Sequence, residues 1–453
     1  MIETIEALTG LMRQDGAVRI YAKKLAPNDN SKNQVYLGGD FTALNLIPYG
    51  EVTTDDAELA GSVRDRAKAP VRFWWIDERG RHEAPSAQLI LYPRYPEVRM
   101  SGFLKGCRNA PADVMRVRDE GRVLFLGITA DGRVLGHAAA AGSPLANALH
   151  ARQGLAQVGV FLEMPAAPGT GDTKQRLLAT LAAIYAKHWI PSQKLGADGT
   201  ARAYAARNGG GYTLEAELGI SPNGYSEPDY LGWEIKQYGV GDFDRFRPSS
   251  PVTLLTPEPT GGYYRDQGVE AFLRRFGYAD KSGKADRLNF GGVYASGRDF
   301  HADTGLQLRL TGYDYTTGKI LDLEGGIALF DRNDEVAALW KYTGIIEHWK
   351  RKHAQAAYVP SLFRTPPPEY RYGPRVQLCE GTDLTLFLQA VANGTIYYDP
   401  AIKLEKDGLT GMSIKRRSQF RVRHDQLGAM YHATEIVFIS PPSDINSADD
   451  KFC

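Results

Sequence analysis

Short apolar runs set the first rhythm of the chain. Between Val18 and about Ile128 the runs VRIYAKKL, VRFWWID, AQLILY and RVLFLGIT are rich in β-branched and aromatic residues, and turn-forming stretches such as PNDNSKN and DERGRHEAP separate them. This alternation predicts a mainly β domain. The pattern shifts at HAAAAGSPLANALH, where small residues replace β-branched ones, and again at MPAAPGTGDT. An interdomain boundary is therefore expected between Gly136 and Thr173, with some helix inside it. Asp172 and Thr173 then precede KQRLLATLAAIYAKHW, whose apolar spacing predicts an amphipathic helix capped at its start. Beyond it come LEAELGI, YLGWEIKQY, the helical VEAFLRRFGY, the strand LQLRLTGYDY and a long helical run, EVAALWKYTGIIEHWKRKHAQ. Strands alternating with helices predict an α/β domain. The expected division is 1–140, a β domain; 141–172, a linker; 173–440, the α/β domain; and 441–453, a polar tail.

Composition narrows the setting. At 453 residues the chain is long for one domain, and 54 basic residues against 53 acidic ones give a net charge of +1. A polyanionic partner must then be met by a local basic patch. Cys107, Cys379 and Cys453 are far apart and form no CxxC pair, which argues against a zinc site and fits a reducing compartment. No stretch approaches the ~20 apolar residues that span a bilayer, and the first residues lack the pattern of a secretory signal. A cytoplasmic protein with no membrane partner is the expectation.

The chemistry concentrates in EPDYLGWEIKQY. Leu231, Trp233 and Ile235 alternate and predict a strand with one buried face. Glu234 and Lys236 then project together from the other face, and Asp229, near the entrance, can turn toward them. Two carboxylates beside a phosphate suit a hard cation such as Mg²⁺, which polarises the phosphodiester and acidifies a bound water. Lys236 can orient that water or neutralise developing charge, and the Ile235 carbonyl is a further candidate ligand. Glu215, upstream in GGGYTLEAELGI, is a candidate third acid, with Glu217 the alternative by position. The glycines at 209, 210 and 211 would let backbone approach a phosphate closely or mark a flexible loop. The pattern D-x₄-E-x-K alone arises by chance in about one chain in ten of this length, so its surroundings must carry the assignment.

Those surroundings, TLEAELGISPNGYSEPDYLGWEIKQY, resemble the MvaI/BcnI family of restriction endonucleases and, more distantly, a strand-specific mismatch-repair nickase. The likeness continues through LLTPEPTGGYYRDQGVEAFLRRFGY and ANGTIYYDPAIK to KRRSQFRVR. It implies a PD-(D/E)XK α/β nuclease domain in which Glu215, Asp229, Glu234 and Lys236 form the metal site, and Mg²⁺ as cofactor. IYAKKLAPNDNSKNQVYLG and VRMSGFLKG resemble the N-terminal DNA-binding domain of the EcoRII type, which implies a β-pseudobarrel gripping DNA with two arms. The first arm would carry Lys23, Lys24, Asn28, Asp29, Asn30 and Gln34, and the second Arg99, Lys105 and Arg108. Taken as polar loops and strand edges, the same residues have ordinary turn and solvation chemistry.

The densest basic cluster is Lys415, Arg416, Arg417, Arg421, Arg423 and His424, with no acidic residue among them. Phe420 and Val422 alternate with Arg421 and Arg423, which suits those two arginines to base contacts and Lys415, Arg416 and Arg417 to phosphates. A solvated charged face is the plain alternative. The resemblance implies a Type II restriction endonuclease, acting as a monomer on double-stranded DNA at a short GC-flanked site, CCWGG-like. The N-terminal domain would bind a second site as effector, and a cognate methyltransferase would act on the same sequence. A nickase, or a DNA-binding regulator with an inactive nuclease domain, are the competing expectations.

Overall fold

The computed structural model describes residues 2–27, 33–54, 66–92, 94–165, 173–206, 208–220, 230–248, 250–349, 355–407 and 411–440. The chain forms two compact units, neither continuous in sequence: Met1–Pro165 with Thr253–Arg351 and Thr382–Met430, and Ala166–Val252 with Lys352–Gly381 and Tyr431–Cys453. Among the described residues no helix is long and apolar enough to cross a membrane.

In the first unit, each apolar run of the N-terminal region becomes a strand: Ala17–Lys24, Phe73–Asp77, Gln88–Tyr92 and Val123–Thr129. They belong to a seven-stranded and a five-stranded sheet. A core of Ile20, Ala22, Phe125, Leu135, Leu145 and Leu149 is completed by Ile5, Leu8 and Met12 of the helix Ile5–Gln14. Thr4 caps this helix by accepting from the Ala7 amide, in the usual manner of a threonine N-cap. Pro144–Ala151 is also helical, capped by Ser143, as the small-residue stretch allowed. Arg122 is 1 % exposed. It donates to the carbonyls of Asp119 at 2.8 Å, Val114 at 3.1 Å and Ala26 at 3.2 Å.

The expected long helix after Glu335 divides instead. Val336–Lys341 is a strand paired with Gly326–Phe330, and only Tyr342–Trp349 is helical. The turn between the paired strands explains the difference. Asp331 accepts from the amides of Asn333 and Glu335, and Asp334 takes a φ of 58°. This is hairpin chemistry, written in the sequence as DRND. In the same unit Asn45 donates to the Thr382 carbonyl at 2.5 Å and accepts from the Trp349 indole at 2.9 Å. These buried bonds tie the N-terminal region to segments more than 300 residues away.

The second unit is an α/β sandwich. Gln355–Arg364 is its middle strand, antiparallel to Glu369–Tyr372 and Arg375–Glu380 and parallel to Glu234–Gly239; Ala433–Phe438 extends the sheet beyond Arg375–Glu380. The helix Thr173–Ala186 appears where its apolar spacing predicted, and Gly209–Glu217 is a second helix. Leu177, Leu181 and Leu214 from these helices meet Trp233, Ile235, Ala357, Val359, Val376 and Leu378 of the sheet. Burying each large apolar side chain here contributes about 1.5–3 kcal/mol. One face of the sheet is thereby closed, which leaves chemistry to the other.

Candidate active site

Glu234 opens the strand Glu234–Gly239. The expected strand start at Leu231 is replaced by a tight turn, in which Tyr230 and Trp233 exchange amide-to-carbonyl bonds of 3.0 and 2.8 Å. Leu231 and Gly232 have φ of 51° and 88°, the positive pair a two-residue hairpin turn needs. Leucine at positive φ is uncommon, and it sits immediately before the chemistry. Trp233 and Ile235 do enter the core, so Glu234 and Lys236 emerge together on the opposite face. Glu234 is 3 % exposed, and Lys236 donates to it with an Nζ–Oε1 distance of 2.5 Å. A carboxylate so buried stays ionised only with such compensation.

Tyr358, Tyr431 and Cys379 surround this pair, and sequence patterns gave no sign of them. Tyr358 is the register partner of Lys236 on the neighbouring strand, and its hydroxyl lies 3.1 Å from that of Tyr431. Burial, reinforced by nearby groups that include Glu234, pushes both phenols above their ordinary values. They are neutral hydrogen-bonding groups. Burial likewise pushes the Cys379 thiol up to about 12. Iodoacetamide at mildly alkaline pH should therefore leave Cys379 unmodified in the folded protein and alkylate it once denatured, as read by peptide mass spectrometry. Native-state labelling at the rate of a free thiol would contradict this burial.

Asp229 lies outside the described residues, as do Asn28, Asp29 and Asn30 of the first arm and Lys350, Arg351 and Lys352. Glu215 is part-buried on the helix Gly209–Glu217, whose Leu214 packs on the core side of the sheet. Glu217 is engaged elsewhere, with Lys187 at 2.5 Å and Gln193 at 2.7 Å. The glycines at 209 and 210 serve helix packing rather than a loop. A Cβ on Gly210 would come within 2.9 Å of Gln237 and 3.0 Å of Tyr370. Among the described residues no group of three His, Cys, Asp or Glu is arranged to hold a metal ion. The donors present, the Glu234 carboxylate and the adjoining Ile235 carbonyl, are all oxygen and fit a hard divalent cation.

The basic cluster is less uniform than its sequence. Phe420 and Val422 are buried and Arg423 is exposed, as the alternation requires. Yet Lys415 pairs with Glu405 at 2.5 Å, Arg421 with Asp399 at 2.7 Å and Arg423 with Asp425 at 2.8 Å. Lys415 belongs to the strand Gly411–Lys415 and Arg421 to Phe420–Val422, so the cluster is not one strand. Arg416 and Arg417 are exposed between them, and His424 is part-buried. In the N-terminal region Lys24, Lys105 and Arg108 are exposed. Gln34 accepts from Arg99 at 3.0 Å, which joins the two expected arms at their bases. Lys23 is 7 % exposed, and burial lowers its pKa; its ammonium is not displayed as an arm residue would be.

The MvaI/BcnI restriction endonuclease family model matches residues 178–431. The chain belongs to the MvaI/BcnI restriction endonuclease family. It is thereby assigned to the Type II site-specific deoxyribonucleases. Two solved structures are similar: the MvaI complex with cognate DNA (16 % identity, TM-score 0.43) and MvaI in the absence of DNA (15 %, 0.33). Each likeness covers 59 % of this chain and 99 % of the other. No curated protein matches this chain.

Proposed function

We propose that the chain hydrolyses both strands of DNA at a short GC-flanked site, CCWGG-like, with Mg²⁺ held by Asp229, Glu234 and the Ile235 carbonyl, and with Glu215 as an accessory acid. The observation that carries this is the Glu234–Lys236 pair at 2.5 Å, on the face of the sheet opposite its apolar core and within the family match. The family generally uses divalent metal ions. Bound here, such an ion would supply Lewis acidity and an acidified water.

The chain's own groups do the rest. Glu234 presents oxygens from a buried, fixed position, and Lys236 is close enough to neutralise charge as it grows on the phosphoryl oxygens. Water adds to phosphorus, the bond to the 3′ oxygen breaks, and that oxygen takes a proton, leaving 5′-phosphate and 3′-hydroxyl ends. Residues 173–440 are proposed as the nuclease domain and 1–140 as an EcoRII-type pseudobarrel. The latter would bind a second site as effector through Lys24, Gln34, Arg99, Lys105 and Arg108. Monomeric action and a cognate methyltransferase belong to the same proposal.

Wild-type and Asp229→Ala protein incubated with unmethylated plasmid and phage DNA in Mg²⁺ test it. Discrete fragments from wild type alone, sharing an end sequence, are the expected result. Nicked circles without linear product would favour a nickase. DNA binding without cleavage by either protein would favour a regulator.

A further inference from the structure

The face that carries Glu234 and Lys236 continues past them. Lys236, Tyr358, Gln377 and Ile436 are register partners on four neighbouring strands, so their side chains emerge on one face. Two residues along, Arg375 and Phe438 pair with each other and share that face. Ile436 is 47 % exposed and Phe438 65 %. The segment following the Glu234–Gly239 strand brings further aromatic rings here. Phe246 meets Phe438 edge-on with centroids 6.4 Å apart, and Phe243 stacks on Phe246 at 5.8 Å. The Arg375 guanidinium lies 5.5 Å from the Phe246 ring centre, and Arg245 and Arg247 are exposed nearby in sequence. Phe243 rests on Gly373, where any Cβ would come within 2.5 Å of its ring. Phe246 itself holds a φ of 50°, a conformation that an aromatic residue keeps only when its surroundings enforce it.

Phe243 and Phe246 are half-buried and support the exposed Phe438 and Ile436 beside Arg375, and exposed apolar patches of this kind mark contact sites. Its chemistry is that of a sugar–phosphate strand: guanidinium for phosphate, ring surface for deoxyribose. We propose that Arg375, Phe246 and Phe438 dock the backbone of duplex DNA flanking the phosphodiester that is held at Glu234 and Lys236. This rests on the nuclease function above. Two strand spacings and a two-residue step put Arg375 about 12 Å from Lys236, which matches roughly three phosphates of one DNA strand. The contact touches no base edge and is independent of sequence.

The test uses the full chain, with binding measured in Ca²⁺ and cleavage in Mg²⁺, on a long duplex and on duplexes truncated just beyond the cut on either side. Arg375→Gln should weaken binding of the long duplex about tenfold, flatten its salt dependence by about one unit of slope, and leave kcat at saturating DNA unchanged. Phe438→Ser, at an exposed position, should raise KM without lowering the melting temperature, and Arg375→Lys should keep the salt slope. On the duplex truncated on the docked side, wild type and variants should converge. Variants that bind the long duplex as wild type does, while wild type cuts normally, overturn this contact alone. A wild-type protein that neither binds nor cuts DNA overturns the nuclease function and this surface with it.

Discussion

Glu234→Gln should reduce DNA cleavage at least 10²–10³-fold while leaving the fold intact. The substitution keeps the shape of the side chain and its ability to accept from Lys236, but it removes the charge that a divalent cation requires. Losing one fixed electrostatic group of this kind costs about 10²–10³ in kcat. The stability cost is smaller, because the Lys236 side chain is 30 % exposed and can turn to water rather than remain a buried, uncompensated charge. Single-turnover cleavage of plasmid, with a thermal melt of the same preparation, separates the two effects. Cleavage within tenfold of wild type by a folded variant would remove Glu234 from the chemistry. Lys236→Met should fall to a similar level.

Arg122→Met should be among the most destabilising single changes in the first unit, at about 3–5 kcal/mol. The guanidinium sits in the interior and donates to the carbonyls of Asp119, Val114 and Ala26. Burial lowers its pKa, with Asp119 opposing the shift. Methionine fills much of the volume but leaves those carbonyls without donors, and each unsatisfied buried group costs about 1–3 kcal/mol. Against a typical domain stability of about 5–15 kcal/mol, such a loss would be plain in a urea titration. A change below about 1 kcal/mol would mean that the carbonyls find water instead. Ala26 also borders the segment proposed above as the first DNA-binding arm, and on that proposal weaker DNA binding by the N-terminal region should accompany the loss.

Much of the fold was legible because one-face burial writes itself as alternation. The strands Ala17–Lys24, Phe73–Asp77, Gln88–Tyr92 and Val123–Thr129 coincide with runs read from sequence to within two residues at their starts. The same logic put Glu234 and Lys236 on one face, and the pair at 2.5 Å follows from it. It failed where apolar residues crowd. Val336–Lys341 is nearly continuous in apolar character, so its period does not separate helix from strand, and only the turn before it gave the answer. Leu231 has the right spacing for a strand but belongs to a positive-φ turn, a backbone property that composition does not carry. Tyr358 and Tyr431 are 73 residues apart, and Asn45 meets Trp349 and Thr382 across far more chain. Contacts of that range leave no local mark. The basic cluster was legible as charge, but the partners Asp399, Glu405 and Asp425 were not, since pairing depends on which strands become neighbours.

The sheet behind Glu234 and Lys236 is completed only by Ala433–Phe438, the last strand of the described chain to be synthesised. Pairing strands that are far apart in sequence is slow, and on a ribosome it must wait until the later strand has emerged. A nascent chain carrying Asp229, Glu234 and Lys236 thus lacks Tyr431 and the outer strand for roughly 200 residues, or on the order of 10–40 s at ordinary synthesis rates. An enzyme that cuts DNA would gain its finished cutting surface only after Phe438 has been made, so a fragment abandoned before that point would lack the outer strand of the sheet.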